Sequence, residues 1–255
     1  MSAGQERRDK WASRGVQVGF LLGLVLFWYF ATTKWGVSHL LLPNPVKVWQ
    51  ELKDVLATGE FWPDLKITLS ELAIAFALSS TSGITLGYLI SRSPYLIRVF
   101  EPLLAGAYSV PIILFLPLFV LFFGLGPGSK IAIGTTISFF PIILNTVAGF
   151  GYVDRIYITA ARSMGASDWQ MFRHVLLPAA LPVILTGLRI GFTVALLSIL
   201  CSETIAALGG LGHRIVHLAE AMETARMFAY IAFAVAIAAM LNTITSSLER
   251  RVRRP

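Results

Sequence analysis

Residues 131–150 read IAIGTTISFFPIILNTVAGF, twenty positions without one ionisable side chain. A helix needs about 20 mostly apolar residues to cross a hydrocarbon core about 30 Å thick. This run therefore reads as a membrane-spanning helix with Pro141 inside it. Working outward, similar runs occur at about Leu96 to Phe123, Leu65 to Ile90 and Gly15 to Thr33 on one side, and at Ala179 to Leu208 and Met227 to Leu248 on the other. Six spans in 255 residues leave little chain for anything else, so one membrane domain over 15–248 is expected. Residues 1–14 form a short N-terminal segment and 249–255 a basic tail. The fold class is thus an all-α membrane protein of six helices.

Composition agrees. The chain is 56% hydrophobic and only 14% charged, against roughly 25% charged for a soluble domain. The net charge of +7 fits basic residues flanking membrane spans better than it fits nucleic-acid binding. A single cysteine, Cys201, excludes a disulfide framework. Arg7, Arg8, Lys10 and Arg14 precede the first apolar run in the manner of a signal peptide. The run is long and no small-residue cleavage site follows it, so it reads as an uncleaved span.

The spans carry their own punctuation. Gly83 and Gly87 stand at small-xxx-small spacing, which permits close helix contact. Pro111 and Pro117 must kink or break the third span. Gly124 to Gly128 is a turn. Residues 46–58 alternate Val46, Val48, Trp49, Leu52, Val55 and Leu56 with Lys47, Glu51, Lys53 and Asp54, an amphipathic helix suited to the bilayer interface. With both termini cytoplasmic, 14 of the 21 basic residues fall inside, Arg155, Arg162, Arg173 and the cluster Arg250 to Arg254 among them. Inside acids number 6 of 14. Counted this way, the positive-inside rule places both ends and the Asp154–His174 segment in the cytoplasm.

That segment, with its flanks about 154–178, holds two helix signals. Asp154 can cap a short helix to about Met164, and Gly165 can supply the left-handed residue that ends it. Ser167-Asp168-Trp169-Gln170 is a Ser-x-x-Gln capping box, which starts a second helix at Asp168. Trp169, Phe172, Val175 and Leu176 then share one face. An exposed apolar stripe on a compact loop wants a partner surface, or else it rests on lipid headgroups. The residues alone leave these two open.

The stretch Thr159-Ala160-Ala161-Arg162-Ser163-Met164-Gly165, nine further residues and then Val175-Leu176-Leu177-Pro178 resembles the EAA loop of ABC-importer permeases, whose pattern is Glu-Ala-Ala, three residues, Gly, nine residues, an aliphatic residue, one residue and Leu-Pro. Leu42-Pro43-Asn44-Pro45, Val110-Pro111, Leu125-Gly126, the run Phe140 to Thr146, and Glu203 ahead of Gly209-Gly210-Leu211-Gly212 resemble the nitrate/sulfonate/taurine branch. The resemblance implies a permease subunit of the bacterial inner membrane, paired with a second copy. It implies a cytoplasmic ABC ATPase dimer that binds the ATP, and an extracytoplasmic solute-binding protein. It also implies a docking role for Thr159, Ala160, Ala161, Gly165, Trp169, Phe172, Leu177 and Pro178. Thr159 departs from the usual Glu and cannot form the same charge pair. The chain needs no cofactor of its own on this reading.

No ATP-binding motif is visible. Gly124-Leu125-Gly126-Pro127-Gly128-Ser129-Lys130 is Gly-rich but lacks the Gly-Lys-Ser/Thr order. His39, His174, His213 and His217 show no zinc-protease spacing, and no Ser/His pairing suits an intramembrane protease. Glu71 and Glu203 fall within spans, where ionisable groups are costly and face a cavity or a partner. Glu203, with Pro111 and Asn145, is a candidate for the translocation path or gate. It equally suits snorkelling or pairing with an arginine, and Glu71 suits a place near the surface. An ion-driven secondary transporter is the rival reading; it calls for mid-membrane carboxylates and inverted repeats. No repeat is evident, and that reading leaves the EAA spacing unexplained.

Overall fold

The computed structural model describes residues 3–35, 38 and 40–253. His39 and the side chains of Arg7, Arg8, Lys10, Arg14 and Arg250 to Arg254 lie outside the described residues. Helices joined by turns and short links make up the described residues, with no strand among them. The helices are α1 (Ala3–Thr33), α2 (Pro45–Thr58), α3 (Phe61–Ser91), α4 (Pro94–Tyr108), α5 (Leu116–Phe123), α6 (Pro127–Gly151), α7 (Arg155–Ser163), α8 (Asp168–Met171), α9 (Leu177–Ile205), α10 (Leu211–Glu220) and α11 (Thr224–Arg253). By length and composition, four stretches among the described residues can cross a membrane: Phe61–Ser91, Pro127–Gly151, Asp168–Ile205 and Thr224–Ser247. A fifth is the pair Pro94–Tyr108 and Ile112–Phe123, bent by 70°. Side chains such as Leu121, Phe122 and Leu197 are exposed, as lipid-facing positions are where the solvent is hydrocarbon.

The chain divides into two compact units. In the first, Met1–Phe61 with Ile215–Phe233, Asn44 caps α2 by accepting from the Val46 N–H at 2.9 Å. Gly59, at φ +75°, ends that helix. The Trp28 indole N–H donates to the Pro43 carbonyl at 2.9 Å, and Phe61 stacks on Phe233 with ring centroids 4.4 Å apart. Val48 and Val55 of α2 are buried while Val46, Trp49 and Leu56 are exposed. The expected amphipathic helix is therefore real.

The second unit, Trp62–Arg214 with Ala234–Pro255, is centred on α6, whose largest partner is α9. Close approach depends on missing side chains. A Cβ at Gly187 of α9 would stand 2.5 Å from Asn145 Cβ, and one at Gly191 2.5 Å from Ile142 Cγ1. On α3, Cβ atoms at Gly83 and Gly87 would meet Ile142 and Thr146 at 2.9 and 2.7 Å. With little hydrophobic drive between helices in lipid, such glycines let backbones touch and dispersion hold them.

Two irregularities position the site. Only Pro111 lies at the bend between α4 and α5, in a link of φ −72° and ψ 78°. Pro117 instead sits in the first turn of α5, where its missing N–H costs nothing. The second corrects an expectation. The helix that starts at Asp168 is not a separate short element but runs into α9 through a π-helical stretch, Phe172–Leu176. Leu177 N–H reaches back to Phe172 O across this widened turn. Pro178 and Pro182 follow directly; each lacks an N–H and crowds the carbonyl four residues earlier. A π turn is the local widening that accommodates such crowding.

Candidate functional site

The loop between α6 and α9 is built almost wholly from local caps. Asp154 Oδ1 accepts from the Ile156 N–H at 2.9 Å and starts α7. At its end Gly165 adopts φ +78°. Gly165 N–H donates to Arg162 O at 2.9 Å and Ala166 N–H to Ala161 O at 3.0 Å, the paired bonds of a Schellman turn. No atom lies within 4 Å of a Cβ built on Gly165, so backbone conformation and not space calls for glycine there. Ser167 Oγ accepts from the Gln170 N–H at 3.3 Å, and Gln170 Oε1 accepts from the Ser167 N–H at 2.9 Å. Both halves of the capping box form.

The face this loop presents differs from the stripe read in the sequence. Trp169 is 65% exposed and stacks on Phe172 at 5.8 Å. Phe172 and Leu176 turn inward, packing on Phe150, Ala180 and Ile184. The stripe therefore stays together, but its lower part packs inward on the ends of α6 and α9 and only Trp169 is left open. The exposed apolar surface comes largely from the first helix and the turn: Ile156 at 67%, Tyr157 at 61% and Met164 at 82%. Sequence reading passed over these three residues. Their signal was the apolar content of the first loop helix. Thr159 and Ala160 are exposed, Ala161 is buried, Leu177 is half-buried and Pro178 is exposed. Beside the loop, the Tyr152 hydroxyl donates to Glu101 Oε2 at 2.9 Å. That bond, with the carboxylate's charge, holds the phenol above its ordinary pKa.

Glu203 sits at the opposite end of α9 and is 1% exposed. It neither snorkels nor pairs with an arginine. Its Oε1 accepts from Thr68 Oγ1 of α3 at 2.7 Å, and its Oε2 accepts from the Gly212 N–H at 2.8 Å. Leu211 N–H donates to the same Thr68 oxygen at 3.0 Å. Gly210 adopts φ +103°, and a Cβ there would collide with the Glu203 carboxylate. The glycine run thus wraps a buried carboxylate, and Glu203 ties α3, α9 and the start of α10 together. Nearby, Arg214 bonds Asp64 at 2.9 Å, and the Lys130 ammonium folds back on the carbonyls of Leu125 and Gly126. Glu71 is 3% exposed, a correction to its expected place near the surface.

Of the three path candidates, Asn145 and Glu203 stand far apart. Asn145 donates to Pro141 O at 2.8 Å within α6 and faces Gly187. That glycine is sixteen residues, or about 24 Å of helix, from Glu203. Pro111 is exposed at the α4–α5 bend. Among the described residues no group of three or more His, Cys, Asp or Glu is placed to hold a metal ion.

A family profile, that of the binding-protein-dependent transport system inner membrane component, matches residues 79–254. The taurine transport system permease protein of Escherichia coli (strain K12) is 34% identical over 256 residues, covering 96% of this chain and 93% of the relative. The riboflavin transport system permease protein of Chloroflexus aurantiacus is 31% identical, covering 96% and 91%. In fold, the chain resembles a methionine ABC transporter solved in inward-facing conformations, with a TM-score of 0.64 at 20% identity over 76% of this chain and 96% of the other.

Proposed function

The chain belongs to the family of binding-protein-dependent transport system inner membrane components, and from that premise we propose how its parts work. It is a multi-pass membrane protein, the permease subunit of an ATP-driven importer. It is not an enzyme; hydrolysis belongs to a separate subunit. We assign six spans with both termini cytoplasmic, a single permease domain over 15–248, and the 154–178 loop as the ATPase docking element of a bacterial inner-membrane transporter. Two copies surround one path, each seated on one subunit of an ATPase dimer that binds the ATP. A solute-binding protein delivers cargo to the outer face. The relatives are named for taurine, riboflavin, aliphatic sulfonates and formylaminopyrimidine, and the cargo we assign is a small solute of the nitrate, sulfonate, taurine or thiamine-precursor kind.

The observation that carries the docking role is the doubly capped elbow at Gly165, which displays Ile156, Tyr157, Met164 and Trp169. A rigid apolar surface at a span end suits a protein groove better than fluid headgroups. The mechanical argument follows from continuity. From Asp168 to Ile205 the helix runs on through its π turn for 38 residues, about 57 Å at 1.5 Å per residue. A displacement imposed on Trp169 by a closing ATPase pair is passed along one rod to the Glu203 clasp, and alternating access is the expected result. The test places a cysteine at Met164 in a Cys201→Ser background. A membrane-impermeant thiol reagent should label it in inverted vesicles only, and a short bifunctional linker should join it to the ATPase. Labelling from the outer side alone would overturn both topology and docking.

A further inference from the structure

A cavity of about 860 Å³ opens beside the loop, where α3 and α6 end and α9 begins. That size lies within the range of small-molecule sites. Arg92, Arg98, Arg155 and Arg162 line it, with Asp154 and Asp168. Arg155, Ile158 and Arg162 stand at i, i+3 and i+7, one face of α7, while the exposed Ile156, Tyr157 and Met164 do not line the cavity. The α7 helix is therefore two-sided, and the cavity is a separate feature from the docking face.

Charge sets its chemistry. No ion pair is found at any of the four guanidinium groups among the described residues; Arg98 spends one N–H on Pro94 O at 3.3 Å. Of the two acids, Asp154 is engaged as the cap of α7, and Asp168 lies in the first turn of α8, where a helix dipole favours negative charge. The lining holds four positive against two negative groups. Its floor is apolar: Tyr88 stands edge-on to Phe150 and Phe172, which stack on each other, with centroids 5.0 to 6.1 Å apart, and Leu176 lies beside them. Guanidinium forks bind phosphate oxygens bidentately, and an apolar floor suits the root of an acyl chain. We propose that this cavity binds a phosphate-bearing anion, supplied by the headgroup of an anionic phospholipid. The proposal needs only that these helix ends lie at a bilayer surface, so it goes beyond the docking role of the loop. Basic pockets between span ends are suited to such headgroups.

The test uses the full chain in mild detergent, alone and assembled with its ATPase, titrated with phosphatidylglycerol or phosphatidylcholine and followed by native mass spectrometry. The expected result is saturable binding of one phosphatidylglycerol per chain, in both the free and the assembled states. Arg92→Gln and Arg155→Gln should each weaken it about fivefold, and the pair roughly twenty-fivefold. Arg173→Gln, an exposed arginine that does not line the cavity, should leave binding unchanged. The corresponding lysine variants guard against misfolding, since they keep the charge and should lose less. A parallel arm measures thermal stabilisation by millimolar inorganic phosphate. Phosphate binding that is lost in the same variants, without lipid retention, keeps the anion site and moves its source to solution. Equal binding of both lipids, insensitivity to the arginine variants, or lipid bound only when the ATPase is absent would overturn the proposal. The last result would make the cavity a protein contact.

Discussion

The Gly165 turn offers the sharpest prediction, because its conformation and its surroundings pull apart. At φ +78° an L-residue pays about 1–2 kcal/mol, and strain up to about 3 kcal/mol is expected for a β-branched one. The two Schellman bonds, Gly165 N–H to Arg162 O and Ala166 N–H to Ala161 O, return about 0.5–1.5 kcal/mol each. Gly165→Asn, which tolerates the left-handed region, should keep the turn. Gly165→Ala should weaken it, and Gly165→Val should cancel what the bonds contribute, raising the opened population roughly 150-fold at 3 kcal/mol. Steric clash cannot explain such a series, since no atom lies within 4 Å of the added Cβ. The assay is substrate-stimulated ATP hydrolysis by the assembled transporter in proteoliposomes. Stimulation should fall in the order Gly, Asn, Ala, Val while the chain's own melting temperature stays nearly constant. Equal activity of the Asn and Val variants would refute the reasoning.

The remaining predictions concern packing and the clasp. Glu203→Ala should leave the Gly212 N–H without its acceptor, at about 1–3 kcal/mol, while the Thr68 hydroxyl falls back on the Asp64 carbonyl at 3.2 Å. Glu203→Gln should lose one of the two contacts, so hydrogen exchange at Leu211 and Gly212 should accelerate in the order Glu, Gln, Ala; unchanged exchange would show that Glu203 is not the anchor. Gly187→Leu should lower the melting temperature, because even its Cβ meets Asn145 Cβ at 2.5 Å and overpacking costs about 1–3 kcal/mol. Gly106→Ala, with nothing within 4 Å, should be neutral or slightly stabilising in the same melt. Equal effects of the two would contradict the close α6–α9 contact.

What could be read from the sequence is what the chain encodes locally. Asp154, Gly165, Ser167 and Gln170 act within a few residues of themselves, so the loop's caps were visible before any coordinates. Pro111 marked the broken span for the same reason. Long-range assignments were not visible. Glu203 closes on Thr68 across 135 positions, and no spacing rule links the two. Spacing also could not tell which way the loop's apolar stripe faces: Phe172 and Leu176 pack inward on Phe150 of α6 and Ile184 of α9, partners far along the chain. Lys130 shows the same limit from another side. Its buried ammonium is satisfied by carbonyls of the turn just before it, which composition counts only as a charge.

The most direct test of the central claim, that this chain is a permease driven through its loop by a separate ATPase, is a mild-detergent co-purification of the tagged chain from its native membranes. It is run beside Met164→Asp, a change at an 82% exposed position that leaves the fold alone and puts a charge on the docking face. The account predicts that an ABC ATPase subunit travels with the unaltered chain and is lost from the variant while both chains keep the same melting temperature. An ATPase that stays bound to Met164→Asp, or one that accompanies neither chain, would contradict it.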